Sequence, residues 1–350
     1  MKLTVIIPVH NGGVNFARCL QALMRSQTRP DEVIVVDDAS ADASAEVARS
    51  YGAQVVRVSP PCRGPAFARN RGAEIAQGEV LFFSDADVLL HSDALGLALE
   101  TFQGDATIDA CFGSYDDMPE AGGLVSQYKN LLHHYVHQHG AESAGTFWTA
   151  CGAIRKTAFQ EAGGFDEDHK KPSIEDVELG RRLRRQGKNI RLVKAMQATH
   201  VKRWTMRQLL RSDILQRAVP WSRLVLAEPR APKDLNLNAS ARWSAAALLA
   251  FILTCIAGFF FPLFFLAAIA LAAALFLLNF DLYRFLKRKR GWFFVVRVIP
   301  LHWLYFFYSA VTFATMVTVA IPSLVFRRGT RASQSKLTGV TRSSQANGTE

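Results

Sequence analysis

The chain is short of cysteine. Its five cysteines, Cys19, Cys62, Cys111, Cys151 and Cys255, are scattered, odd in number and never in CxxC spacing. Neither a zinc cluster nor a disulfide framework fits them, so they read as reduced residues, mostly in the core of a cytosolic domain. Acid is scarce as well: 30 Asp and Glu face 41 Lys and Arg, a net charge of +11. Such an excess of base favours an anionic surface or an anionic substrate. No internal repeat is visible. The first expected strand starts at Leu3, which leaves no room ahead of it for a signal peptide.

What is plentiful is apolar surface. The 350 residues are 49% hydrophobic, enough for one large or two modest domains with a real core. The apolar excess collects after Trp243, so the composition changes along the chain.

Residues 79–83 are an apolar run that ends in Ser84-Asp85-Ala86-Asp87. An unpaired carboxylate in an apolar interior is costly, so two acids at the end of such a strand want a cation. Mg²⁺ and Mn²⁺ take oxygen ligands and commonly share them with a substrate phosphate. Asp-x-Asp alone is equally compatible with an acidic turn in which Asp85 caps a helix.

The neighbours decide between the two. Residues 3–8, 32–36 and 54–58 read as strands, with helical patterns at 16–24 and 43–51 between them. Alternating strands and helices imply a parallel sheet with right-handed crossovers. Ligands bind such sheets at the carboxyl ends of the strands, where both Asp37-Asp38 and Asp85-Ala86-Asp87 fall. Arg69 and Arg71 follow Gly64-Pro65 in the first turns of a helix, a setting suited to phosphate oxygens.

Four short motifs in this order carry a resemblance. Val5-Ile6-Ile7-Pro8-Val9-His10-Asn11-Gly12, Val35-Val36-Asp37-Asp38-Ala39-Ser40, Ala68-Arg69-Asn70-Arg71-Gly72 and Ser84-Asp85-Ala86-Asp87 are similar to those of family 2 glycosyltransferases of the GT-A fold. The similarity runs over about 3–205. It implies that Pro8, Val9 and His10 lie along the nucleotide, and that Asp38 binds base or ribose. It implies that Asp85 contacts ribose or metal, and that Asp87 holds Mg²⁺ or Mn²⁺ on the diphosphate of a nucleotide-sugar donor. Arg69 is placed with the donor-binding residues.

Glu175-Asp176 matches the family's ED motif, whose aspartate serves as catalytic base, with Glu175 orienting acceptor or base. Local roles compete: Ser173 and Asp176 have capping-box spacing, and Glu178 with Arg182 forms an i,i+4 ion pair. His200 sits where some GT-A enzymes place a third metal ligand. His133 and His137 are spaced for zinc, but a helix face near the cleft or membrane suits them better. The run 181–185 reads as a solvated or membrane-facing helix surface. Processive members carry QxxRW; here Gln197 precedes Arg203-Trp204 at the wrong distance, which argues against polymer synthesis. Trp221 remains a candidate for stacking on an acceptor. A small apolar stretch, 146–154, reads as a strand.

Residues 204–227 alternate apolar and basic side chains, as helices lying in an anionic lipid interface do. Residues 243–279 are nearly all apolar, against the roughly 20 that one span needs, so two helices turning near Gly258 and Pro262 are expected. A further span is expected over 301–322, behind an amphipathic 292–299, with a reversal around Pro300 as one way to keep the basic ends cytosolic.

The expected organisation is an α/β protein: a GT-A (Rossmann-like, mostly parallel sheet) catalytic domain over 1–203, interfacial helices over 204–242, membrane helices over 243–326 and a disordered tail over 327–350. The expected activity is metal-dependent, inverting and non-processive transfer of a sugar to a lipid or lipid-linked acceptor. The expected setting is the inner membrane, multi-pass, with the catalytic domain cytosolic. Nucleic acid is not an expected partner. The rival readings are a nucleotidyltransferase of similar fold and a non-catalytic nucleotide-binding membrane module.

Overall fold

The computed structural model describes residues 1–227 and 239–345, with side chains up to residue 320. The first part alternates β1 (Leu3–Val9), α1 (Gly13–Met24), β2 (Glu32–Asp38), α2 (Ser44–Ser50), β3 (Gln54–Val58), α3 (Pro65–Ile75) and β4 (Val80–Ser84). Then come β5 (Val88–Leu90), α4 (Ala94–Gly104), β6 (Ile108–Tyr115), α5 (Leu124–Gln138), β7 (Cys151–Arg155), α6 (Lys156–Glu161), α7 (Glu175–Arg185) and β8 (Asn189–His200). One mixed, mostly parallel sheet results, in the order β3-β2-β1-β4-β7-β6-β8-β5.

The apolar runs without polar alternation follow from burial on both faces. Leu3, Val5 and Ile7 of β1 pack under Phe16 and Leu20 of α1. Ile6, with Leu81 and Phe83 of β4, faces the opposite layer, where Phe159 of α6 and Leu179 of α7 cover it. Phe82 and Phe83 are each 0% exposed, and burying one such ring is worth about 1.5–3 kcal/mol.

Direction is what places the site. β4 runs parallel to β1 but antiparallel to β7, pairing Ser84 with Cys151. β6 is antiparallel to β7 and parallel to β8, while β5 is antiparallel to β8 and pairs Val88 with His200. The carboxyl ends of β1, β2, β4, β6 and β8 therefore share one edge with the amino ends of β5 and β7.

The strand expected over 146–154 starts only at Cys151, because 145–150 is loop at that edge. β8 reaches His200 by pairing with β6 and then β5. β5 is too short to show a period in the sequence.

After the sheet come α8 (Met206–Arg211), a π-helical turn (Ser212–Ala218) and α9 (Val219–Ala227). Part of the expected interfacial segment, 228–238, lies outside the described residues. α10 (Ala239–Gly258) and α11 (Phe264–Leu278) form a hairpin that turns where Gly258 and Pro262 predict. α12 (Phe280–Gln345) follows, interrupted at Gly291, whose φ of 79° and ψ of 173° are non-helical. The reversal considered at Pro300 is thus at Gly291 instead. Glycine reaches that positive φ without a Cβ clash, whereas Pro300 sits inside a continuing helix. The expected disordered tail, 327–350, falls beyond the described side chains; the helix assignment reaches Gln345, and 346–350 lie outside the described residues.

Ala239–Gly258 and Phe280–Ala320 are long and apolar enough to cross a membrane, while Phe264–Leu278 is apolar but shorter. Leu282, Tyr283 and Leu286 of α12 dock against Tyr128 and Leu131 of α5 and Leu209 of α8, tying the helical region to the α/β part of the chain.

Candidate functional site

The shared strand edge opens into a cleft of about 800 Å³. Pro8, Val9 and His10 line it at the end of β1, Asp38 at the end of β2, and Arg69 from α3. Asp85, Asp87, Glu175, Asp176 and His200 line it as well, so these ten residues meet in one cavity, whereas Arg71 and Trp221 are not among its lining.

Asp38 shapes the end of the cleft beside β2. Its carboxylate accepts the Arg63 and Gly64 backbone N–H groups at 2.9 and 2.7 Å and the Cys62 thiol at 2.9 Å. Gly64 is required there: its φ is 98°, and an added Cβ would stand 2.4 Å from the Lys170 carbonyl oxygen. Pro65 follows at the first position of α3, where a missing N–H costs nothing. His10 Nδ1 donates to the Asp38 carbonyl at 2.7 Å and so fastens β1 to β2.

Arg69, expected among the donor contacts, lines the cleft already paired with two acids. It is 3% exposed. One arm donates to Glu175 Oε1 at 2.9 Å and the other to Asp85 Oδ1 at 2.7 Å. A buried guanidinium needs counter-charge, and two acids supply it here before any phosphate arrives. Arg71 turns outward to Glu74 and Glu167.

The two acids of the Asp-x-Asp motif are tuned apart. Burial pushes the Asp85 carboxyl up, against the pull of Arg69 and with the repulsion of Asp87. Burial opposes ionisation of Asp87 too, but the neighbouring His200, with Lys202, outweighs it and holds Asp87 below the usual range. His200 Nε2 lies 3.6 Å from Asp87 Oδ2, while its Nδ1 bonds Asn130 Oδ1 at 2.9 Å and its ring stacks on Tyr115 at 4.6 Å. A ring held this way keeps one nitrogen aimed at the carboxylate. Among the described residues no three His, Cys, Asp or Glu converge into a complete metal cage. Asp87 and His200 still fit a divalent ion that takes its remaining ligands from substrate oxygens and water, the habit of Mg²⁺ at phosphate sites.

Asp176 stands at the start of α7. The capping box predicted from Ser173 does not form: the N-cap is Ile174, and the Ser173 hydroxyl bonds the Gln216 carbonyl. Asp176 instead receives its own turn's Val177 N–H at 2.8 Å and the Thr149 N–H at 3.4 Å. Burial, reinforced by the adjacent Glu175 charge, raises its carboxyl to about 7. Glu178 pairs with Arg182 as the spacing predicts. Arg181, read as surface, is 3% exposed, because the inner stripe of the amphipathic helix falls on it.

Several lining residues escaped the sequence reading. Trp148, taken as part of a strand, stands in the loop before β7 with its ring 4.7 Å from Tyr115 and 5.0 Å from both His133 and His137. Lys129, Asn130 and Arg217 line the same region, with Trp204. Nothing local marks them; only the docking of α5 and the π-helical turn on the cleft does. His134 and His137 donate to the Tyr115 and Gly113 carbonyls, which seats α5 on β6.

Comparison with known proteins adds the family. Residues 4–163 match the profile of Glycosyl transferase family 2. The validoxylamine A glucosyltransferase of Streptomyces hygroscopicus subsp. limoneus is 31% identical over 53% of this chain and 48% of its own. Glycosyltransferase AglE of Haloferax volcanii is 33% identical over 47% of this chain and 55% of its own. The chain therefore spans about half the length of these relatives. Among solved structures, the mannosyltransferase PcManGT of Pyrobaculum calidifontis, in complex with GDP-Man and Mn²⁺, superposes with a TM-score of 0.60 at 20% identity, over 89% of this chain and 87% of that one. That likeness is one of fold. Asp176 and His200 lie beyond the family match, so their roles rest on geometry. Residues 4–163 thus resemble the Glycosyl transferase family 2 domain, and the sheet that carries them has the GT-A fold.

Proposed function

We propose that the protein transfers a sugar from a nucleotide-sugar donor to a hydroxyl of a lipid or lipid-linked acceptor, with inversion and without processive elongation. The observation that carries this reading is the meeting of Asp87 with His200, and of Asp176 with its raised carboxyl, in one cleft. Pro8, Val9 and His10 border the nucleotide, and Asp38 meets base or ribose from the loop it braces. Asp87 and His200, with Asp85 beside them, would hold a divalent ion, Mg²⁺ or Mn²⁺. When bound, that ion supplies positive charge against the leaving nucleoside diphosphate.

Asp176 takes the proton of the acceptor hydroxyl as its oxygen attacks the anomeric carbon. The bond from that carbon to the diphosphate oxygen breaks as the new one forms, and the diphosphate leaves with the electron pair. A base with a value near the working pH suits this step. Glu175 is a positioning residue: through Arg69 it fixes Asp85, and its second oxygen accepts the Ser173 N–H at 2.8 Å.

The apolar helices argue for a membrane protein with several spans and its catalytic domain in the cytosol, on the inner membrane of a cell that makes its nucleotide sugars there. Product analysis on purified protein tests the reading. Release of nucleoside diphosphate supports it. Release of pyrophosphate would make the protein a nucleotidyltransferase.

A further inference from the structure

One wall of the cleft holds positive charge that the proposed transfer leaves unused. Lys129 of α5 is buried, and its ammonium pairs with Asp213 Oδ1 of the π-helical turn. The other oxygen of Asp213 accepts the Tyr308 hydroxyl of α12 at 2.6 Å. Both oxygens of Asp213 are thereby engaged. Arg217, from the same π-helical turn, lines the cleft, and its charge acts on Asp213 as well. It stands close enough to repel its neighbours: after burial, its charge is what most depresses Lys129, to about 8. It also weighs on His133. Two cations thus share one carboxylate.

This wall is distinct from the Asp-x-Asp end. The charges that act on Asp85 and Asp87 belong chiefly to Arg69, His200 and Lys202. Tyr115 stands within the field of both regions. Arg217 instead shares its surroundings with α5 and with Tyr305 and Tyr308 of α12, whose segment Phe280–Ala320 is long and apolar enough to cross a membrane.

We infer that Arg217 and Lys129 form a subsite for a phosphate-type anion on the acceptor, and that the acceptor is a lipid phosphate ester entering along α12. A planar guanidinium beside an ammonium is a natural phosphate clamp. The inference rests on the transfer reading above. It keeps the attacking hydroxyl at Asp176 and puts the phosphate at this wall. The other source of the same chemistry is the donor's diphosphate.

Full-length protein in detergent, titrated with farnesyl phosphate, farnesol, and pyrophosphate with Mn²⁺, separates the sources. Farnesyl phosphate should bind wild type at least about tenfold tighter than farnesol, the worth of one charged contact. Arg217→Gln should erase that difference while pyrophosphate with Mn²⁺ binds as before, and Arg217→Lys should keep most of it. Equal binding of the phosphate and the alcohol to wild type overturns the inference, whatever the variants do. So does loss of pyrophosphate binding in Arg217→Gln with farnesyl phosphate unaffected, because the anion would then be the donor's. Wild type that binds farnesyl phosphate but not pyrophosphate with Mn²⁺ supports the subsite and counts against the donor reading alone.

Discussion

Arg69 donates to Asp85 Oδ1 at 2.7 Å from a side chain that is itself only 4% exposed. The same guanidinium reaches Glu175, 5% exposed, at 2.9 Å. Residues far apart in the sequence are thereby held in one ionic unit at the cleft, with Arg69 and Glu175 buried and Asp85 32% exposed. Removing the cation leaves two uncompensated acids, which costs on the order of 3–5 kcal/mol. Arg69→Met should lower the melting temperature markedly and abolish transfer. A variant as stable as wild type would show that the unit holds nothing together.

Asp176→Asn should cut turnover by about 10²–10⁴-fold, the range of a lost general base, with donor affinity little changed. In the wild type, the rate should fall as pH drops through about 7, where Asp176 takes up its proton. A pH profile of initial rates against fixed donor checks this. An Asn variant with wild-type turnover removes Asp176 from the mechanism.

The same carboxyl has an opposite effect on stability. Its folded value is raised above the free value of 3.8, so between the two the folded chain binds more proton than the unfolded one. Its contribution to stability is complete below about 4 and declines as pH climbs to about 7. Asp176→Asn should therefore gain melting temperature relative to wild type at pH 8 and gain nothing at pH 4.

Chelation should abolish transfer, and Mn²⁺ or Mg²⁺ should restore it. Asp87→Asn should raise the metal concentration needed for half-maximal rate by about 10–100-fold, and His200→Ala should shift it in the same direction. Activity indifferent to EDTA in the wild type would exclude this use of Asp87 and His200.

Gly113→Ala tests packing well away from the chemistry. A Cβ on Gly113 would meet the Met196 carbonyl oxygen at 1.8 Å across the β6–β8 pairing. Separating the strands to admit it should cost about 1–3 kcal/mol or more, read as a lower melting temperature and a smaller yield of folded protein.

Much of this cleft is legible in the sequence, because the half built from strand ends is local. Pro8, Val9 and His10, like Asp85 and Asp87, each follow directly on a buried apolar run, and parallel sheets gather such ends on one edge. What escaped depends on contacts remote in sequence. The pairing of Arg69 with Glu175, which stands in a helix much later in the chain, has no local sign in the sequence. Trp148 reads as strand because a loop that re-enters a sheet can be as apolar as the strand it feeds. Arg181 looks like surface because charge runs usually are, and only the packing of α7 shows which face is inward.

The inverted strand β7 enters the sheet beside the exit of β4, with Cys151 opposite Ser84. The loop ahead of it, with Trp148 and Thr149, therefore comes to the acids from a strand's beginning, while the Asp-x-Asp motif comes from a strand's end. Those two pieces of chain are free to diverge separately. Under the proposed transfer, mutation ahead of β7 would alter one wall of the cleft without touching the Asp-x-Asp end, which makes this wall the place to engineer a new recipient for an unchanged sugar.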